Sequence, residues 1–170
     1  MAINYVIGHW TAGSHYPNSI DLNSYQLLID ADGKTYNGKS VGSAASTGGM
    51  NSITYNISCC GGLSRTMITP IQIEKFFKEC AIKLKEYNLT PDKFYTHAEI
   101  GEMTRAYNLK QKGKPYDKSY GLITDLLPYN GYLLANIGKI DLTVLPYMSG
   151  NAKQTGNFIR NKINYYRSKL

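Results

Sequence analysis

The most constraining stretch of this chain is Thr69-Pro70-Ile71-Gln72. It carries an N-cap threonine, a proline at the first helical position and a glutamine three residues after the cap, a pattern that lets side chains and backbone N–H groups satisfy one another at a helix start. Ile73, Phe76, Phe77, Cys80, Ala81, Leu84 and Tyr87 then recur at helical spacing, which predicts an amphipathic helix through about residue 88. Pro91 ends any continuation. This helix stands between short β-rich runs. Residues 3–8 read as a strand ending where His9 begins, and 11–22 as a loop. Residues 25–29 and 34–38 form a hairpin with Asp32-Gly33 at its turn, 41–50 are a loop, Ile53–Cys60 is a buried strand closed by Gly61-Gly62, and 94–96 is a short strand delivering His97. Strands, a central helix and a further strand predict an α/β layer structure.

Beyond that point the pattern weakens. Residues 101–137 are polar and broken by Gly113, Pro115, Gly121, Pro128 and Gly131, so they are expected to form a long segment without regular structure. From about residue 151, Phe158, Ile159, Ile163 and Tyr166 predict a basic amphipathic helix. No internal repeat or linker divides the 170 residues, which suit one domain.

Composition narrows the function classes. At 42% apolar and 18% charged residues, the chain is an ordinary globular one. Its formal charge of +7 favours an anionic partner, whether nucleic acid, membrane surface or wall polymer. Beyond Asp141 there is no acidic residue, while Lys153, Arg160, Lys162, Arg167 and Lys169 are all basic. No nucleic-acid motif accompanies the charge, and nucleic acid is not expected as the main ligand. No apolar stretch approaches the roughly 20 residues that span a bilayer, so no membrane insertion is expected. Cys59, Cys60 and Cys80 have neither CxxC spacing nor an even count, which suits buried reduced thiols. The N-terminal residues show no basic region followed by a long apolar one, and the chain is expected to be made without an export signal.

Three histidines, His9, His15 and His97, are the residues best suited to metal chemistry. His9 and His97 each follow a predicted strand, and strand ends converge at one rim of a sheet, where catalytic zinc sites are commonly built. A lone histidine is more often an ordinary polar residue, and no local spacing links these two.

Four stretches taken in order carry a resemblance. They are Tyr5-Val6-Ile7-Gly8-His9-Trp10-Thr11-Ala12-Gly13; Tyr25 through Tyr36; Asn51 through Ser58, closed by Gly61-Gly62; and Tyr95-Thr96-His97-Ala98-Glu99 together with the later Gly138-Lys139-Ile140-Asp141-Leu142. With these the chain resembles the zinc-dependent N-acetylmuramoyl-L-alanine amidases of the family-2 type, which include phage lysozyme-amidases and are related to peptidoglycan recognition proteins. The resemblance implies a single α/β domain with a central mixed sheet flanked by helices. Residues 1–146 would form the catalytic domain, with an insertion at about 101–137, and residues 147–170 a basic helical extension.

It further implies one zinc ion held by His9, His97 and Asp141, with the fourth position open for water. Lys139 would stabilise the oxyanion, Tyr25 would lie beside the reacting water, and His15, Trp10 and Asn51 would contact substrate. Some relatives carry a Glu on the central strand; Ser58 stands there in this chain. The loop before Asn51 also lacks a histidine common among relatives. Tyr107, Tyr116, Tyr120, Tyr129 and Tyr132 in the insertion become candidate glycan or peptide contacts. The implied partner is bacterial peptidoglycan and the implied state a monomer. The implied setting is a phage endolysin made in the host bacterial cytoplasm and acting on the wall after release. A recognition module that binds peptidoglycan without cutting it is the alternative.

Overall fold

The computed structural model describes residues 2–170. The elements run β1 (Tyr5–Trp10), α1 (Ser19–Leu22), β2 (Leu27–Ile29), β3 (Thr35–Asn37), β4 (Thr54–Cys59), α2 (Pro70–Glu86), β5 (Phe94–Thr96), α3 (His97–Gln111) and α4 (Ala152–Arg167), with short 3-10 turns between several of them. The strands form one sheet in the order β3-β2-β4-β1-β5. All pairings are parallel except that of the β2–β3 hairpin. This is the mixed α/β sheet expected from the sequence. Helices on both faces are what parallel strands require, since each crossover must leave and re-enter the sheet.

The alternation of β4 divides the molecule. Tyr55, Ile57 and Cys59 point into a large core with Val6, Trp10, Leu27 and Ile29, against Phe76 and Phe77 of α2 and Ile159 and Ile163 of α4. On the other face Tyr5 and Ile7 of β1 meet Ile100 and Met103 of α3 in a second core with Met50, Ile123 and Leu133. His9 follows Tyr5 and Ile7 in the same alternation, and Asn56 and Ser58 share that face from β4, with His9 opposite Ser58 in register. The second face is thus apolar at one end and polar at the other.

Two details lock the layers. The capping box of α2 forms as read, with Gln72 N donating to Thr69 Oγ1 and Thr69 N to Gln72 Oε1, both at 3.1 Å. The amide of Gln72 also donates to Ile29 O and Cys60 O, tying the helix start to the ends of β2 and β4. At Gly8 an added Cβ would lie 2.7 Å from the Phe94 ring and 2.8 Å from that of Phe76, so only glycine lets these rings close over β1.

Several boundaries differ from the reading of the sequence. β1 continues to Trp10, so His9 lies within the strand rather than after it, and a short helix interrupts the 11–22 loop. The larger correction concerns residues 101–137, since α3 occupies His97–Gln111. It is buried along Ala98, Ile100, Met103 and Ala106 and also along the polar Glu99 and Thr104, so no single apolar stripe announces it. The C-terminal helix forms as expected but packs on α2 and α3. The three cysteines are buried free thiols.

Candidate metal centre

His9, His97 and Asp141 meet at the C-terminal ends of β1 and β5, although they lie far apart in the chain. Each offers one donor atom, and these atoms all lie within 4.8 Å of one another. Open parallel sheets place ligands at this edge because strand ends and the loops after them are free to carry functional groups there. His9 Nδ1 is 3.7 Å from Asp141 Oδ2, and His97 Nδ1 is 3.7 Å from Asp141 Oδ1. All three residues are buried.

Both imidazoles are oriented from behind. The Nε2–H of His9 donates to Asn56 Oδ1 at 2.9 Å, and that of His97 donates to Asn136 Oδ1 at 2.7 Å. Each side-chain oxygen can only accept, so the two rings carry their protons on Nε2 and turn their Nδ1 lone pairs towards Asp141. The two asparagines are fixed in turn. Asn56 donates to Gln26 Oε1 and Thr54 Oγ1, and its oxygen also accepts from Thr47 Oγ1. Asn136 donates to Gly48 O and Leu133 O and accepts from Gly48 N. Gly101 makes room for this second asparagine, because a Cβ there would overlap the Asn136 carbonyl oxygen.

Asp141 sits in a constrained segment. Gly138 precedes it at φ +89°, and Leu142 follows at φ +63°, a left-handed conformation costly for a branched side chain. The side chain of Leu142 is fully buried, which holds the turn. The backbone N–H of Trp10 donates to Asp141 Oδ2 at 3.2 Å. Burial alone would raise the Asp141 pKa, but the two histidines facing its carboxylate outweigh it and keep the group well below the usual carboxylate range. Burial lowers the pKa of His9, against the opposing pull of Asp141.

These features fit a divalent metal. Among the described residues His9 Nδ1 has no hydrogen-bond partner although it is buried, a cost that coordination would relieve. Tetrahedral bonds of about 2.1 Å separate donors by roughly 3.4 Å; each histidine Nδ1 lies 3.7 Å from one Asp141 oxygen, a different oxygen in each case, and one donor atom from each residue falls within 4.8 Å of the others. Two imidazoles and a carboxylate are a borderline set suited to zinc with a position left open.

A cavity of about 370 Å³ opens over this cluster, lined by Trp10, Thr11, Tyr25, Leu63, His97, Lys139 and Asp141 among others. Tyr25 stacks at a tilt on His9, with ring centroids 5.1 Å apart. Burial, followed by the nearby Asp141 charge, raises its pKa strongly, so its hydroxyl stays protonated at neutral pH. Lys139 is exposed at the rim. Of the remaining sequence candidates, Trp10 lines the cavity, whereas His15 and Asn51 do not. Trp10 reaches the cluster through its backbone while its ring packs over Gly62. The Nε2 of His15 bonds the Met67 carbonyl at 2.9 Å, away from the cavity lining. Asn51 accepts from the backbone of Ser46 and Thr47, pinning the loop that carries Thr47 to Asn56. None of the five insertion tyrosines lines the cavity: Tyr107 stacks on Tyr129, Tyr107 and Tyr120 pack on the second core, and Tyr132 is largely exposed.

The structure is thus a mixed α/β sheet that gathers two histidines and an aspartate at the C-terminal end of its parallel strands. The chain belongs to the N-acetylmuramoyl-L-alanine amidase family, whose model matches residues 1–115. Solved structures share the fold at low identity. The N-acetylmuramoyl-L-alanine amidase LysC from Clostridium intestinale URNW is 15% identical with a TM-score of 0.52, over 68% of this chain and 88% of that one. The endolysine N-acetylmuramoyl-L-alanine amidase LysCS from the same organism is 15% identical with a TM-score of 0.51, over 68% and 86%. The Staphylococcus aureus hydrolase AmiA, solved with its ligand, is 12% identical with a TM-score of 0.53, over 99% and 76%. No curated protein matches the sequence. No helix of the described residues is long and apolar enough to cross a membrane.

Proposed function

We propose that the chain hydrolyses the amide between N-acetylmuramic acid and L-alanine in bacterial peptidoglycan, using one zinc ion held by His9 Nδ1, His97 Nδ1 and an Asp141 oxygen. The observation that carries this reading is the buried, unpartnered Nδ1 of His9 facing His97 and Asp141 at the head of an open cleft. Bound there, zinc supplies Lewis acidity and lowers the pKa of water from about 15.7 towards 7.

The chain's own groups do the rest. Asn56 and Asn136 hold both imidazoles in the tautomer that presents Nδ1, which removes a reorganisation cost at the moment of reaction. Lys139 brings a positive charge to the cleft, where negative charge develops on the carbonyl oxygen. Tyr25 keeps its proton and offers a hydroxyl to orient the attacking water and relay a proton towards the departing amine. Ser58 lies opposite His9 where some relatives carry a Glu, so Tyr25 is the nearer candidate for that relay.

We place residues 1–146 as the catalytic unit and 147–170 as a helical extension of the same domain, in a monomeric phage endolysin acting on the wall. The deciding experiment incubates purified protein with muropeptides. Release of free stem peptide, abolished by a chelator and restored by zinc, supports the amidase. Tight binding without cleavage would instead make the chain a recognition module.

A further inference from the structure

From the junction of α4 with the β5–α3 corner we infer that Arg160 is a positioning residue for His97, acting through Glu99. His97 is the first residue of α3, directly after β5, so the direction of its side chain depends on how sharply strand turns into helix. That turn is set by a capping box. Thr96 Oγ1 accepts from Glu99 N at 3.1 Å, and Glu99 Oε1 accepts from Thr96 N at 3.0 Å.

Glu99 would be an unstable anchor alone, because its carboxylate is buried and an unpaired buried charge is costly. Arg160 supplies the partner. Its Nη1 and Nη2 each donate at 2.8 Å to one oxygen of Glu99, and Nη1 donates also to the carbonyl of Phe94 at 2.9 Å. One planar guanidinium therefore grips the strand before His97 and the helical turn after it. A lysine, with its point charge, does not offer this fork. The approach is close by construction: Gly156 sits one turn before Arg160, and a Cβ there would overlap Glu99 Oε1. The C-terminal helix thus does more than cover the core. It fixes the angle of one metal donor, whereas His9 lies on the interior strand β1 and takes its orientation from Asn56, outside this grip.

This inference builds on the zinc reading but has a test that works without metal. The imidazole Nε2–H signals of His97 and His9 are followed by NMR in the metal-free wild type, in Arg160→Lys, which keeps the charge beside Glu99, and in Glu99→Gln/Arg160→Met, which keeps a glutamine able to cap and removes both charges. Ile163→Ala, in the core on the same helix, controls for plain loss of stability. Zinc affinity is then measured by competition with a chromophoric chelator. The expected result is that the His97 signal exchanges faster or doubles in both Arg160 variants while that of His9 stays. Zinc binding should fall by about 10- to 100-fold, the range usual for lost outer-sphere support. Ile163→Ala should leave both unchanged in the folded protein. His97 and His9 responding alike, or Ile163→Ala reproducing the effect, overturns the assignment. If the wild type takes up no zinc, the zinc reading fails, and the NMR comparison still decides whether Arg160 orients His97.

Discussion

The Nε2–H of His97 donates to Asn136 Oδ1 at 2.7 Å, and the nitrogen of the same amide donates to Gly48 O at 2.9 Å and Leu133 O at 3.0 Å. Replacing Asn136 by alanine frees the His97 ring and strands the buried backbone groups that the amide satisfied. Zinc affinity is expected to fall by about 10- to 100-fold. Thermal stability should fall too, by about 1–3 kcal/mol for each polar group left unpaired. Competition with a chelator and a urea titration measure the two losses separately. An Asn136→Ala protein that holds zinc as tightly as wild type would rule out the orienting role.

The metal-free protein should lose stability as the solution becomes mildly acidic. Burial holds the pKa of His9 below its ordinary value of 6.5. Below that pH the unfolded chain binds a proton that the folded one refuses, so stability from a neutral His9 is complete above about pH 6.5 and declines beneath it. The slope can reach about 1.4 kcal/mol per pH unit for one such proton. Asp141, held below its ordinary 3.8, adds a loss in the same direction only at more acidic pH. Urea unfolding of chelator-treated protein between pH 7.5 and 5 reads the first effect, and His9→Gln should flatten it. A profile already flat in the wild type would contradict the burial argument.

The sequence carried the frame of this fold further than its functional detail. The capping box at Thr69 and the hairpin turn at Asp32-Gly33 were legible because local hydrogen bonding and backbone conformation determine them. A second capping box, Thr96 with Glu99, was equally legible, and reading it would have started α3 at His97 instead of leaving 101–137 irregular. The apolar pattern of α3 hid it, because buried Glu99 and Thr104 interrupt the stripe. His9 and His97 stood out as histidines at strand ends, but their joining with Asp141 came only through a resemblance, since that meeting depends on strand order, which no local pattern records. Asn56 left a trace, being polar within a buried strand and on the His9 face. Asn136 left none: its position follows from the close approach at Gly101, a tertiary fact.

That approach makes Gly101→Ala a test with an informative sign. In an ordinary exposed helix interior the change from glycine to alanine stabilises by up to about 1 kcal/mol. Here the added methyl would overlap the Asn136 carbonyl oxygen. Overpacking of this kind destabilises by about 1–3 kcal/mol. A fall in stability together with weaker zinc binding is expected, because Asn136 must shift away from His97. Stabilisation on substitution would mean that the segment carrying Asn136 is free to move without disturbing the site.

The roles given to Lys139 and Tyr25 separate in kinetics. Lys139 is exposed at the cleft rim, so Lys139→Met should leave zinc content and KM near wild type while lowering kcat by about 10²- to 10³-fold, the usual cost of losing one group that stabilises developing charge. Tyr25→Phe keeps the ring stacked on His9 and removes only the hydroxyl. If that hydroxyl relays a proton, kcat should fall by about 10²- to 10⁴-fold with the metal retained. If it only shapes the cavity, the change should be small and confined to KM. The variants must be assayed with zinc occupancy measured in the same samples, since loss of metal lowers kcat by itself. Either variant turning over at the wild-type rate removes that residue from the mechanism and leaves His9, His97 and Asp141 to account for catalysis with whatever ion they hold.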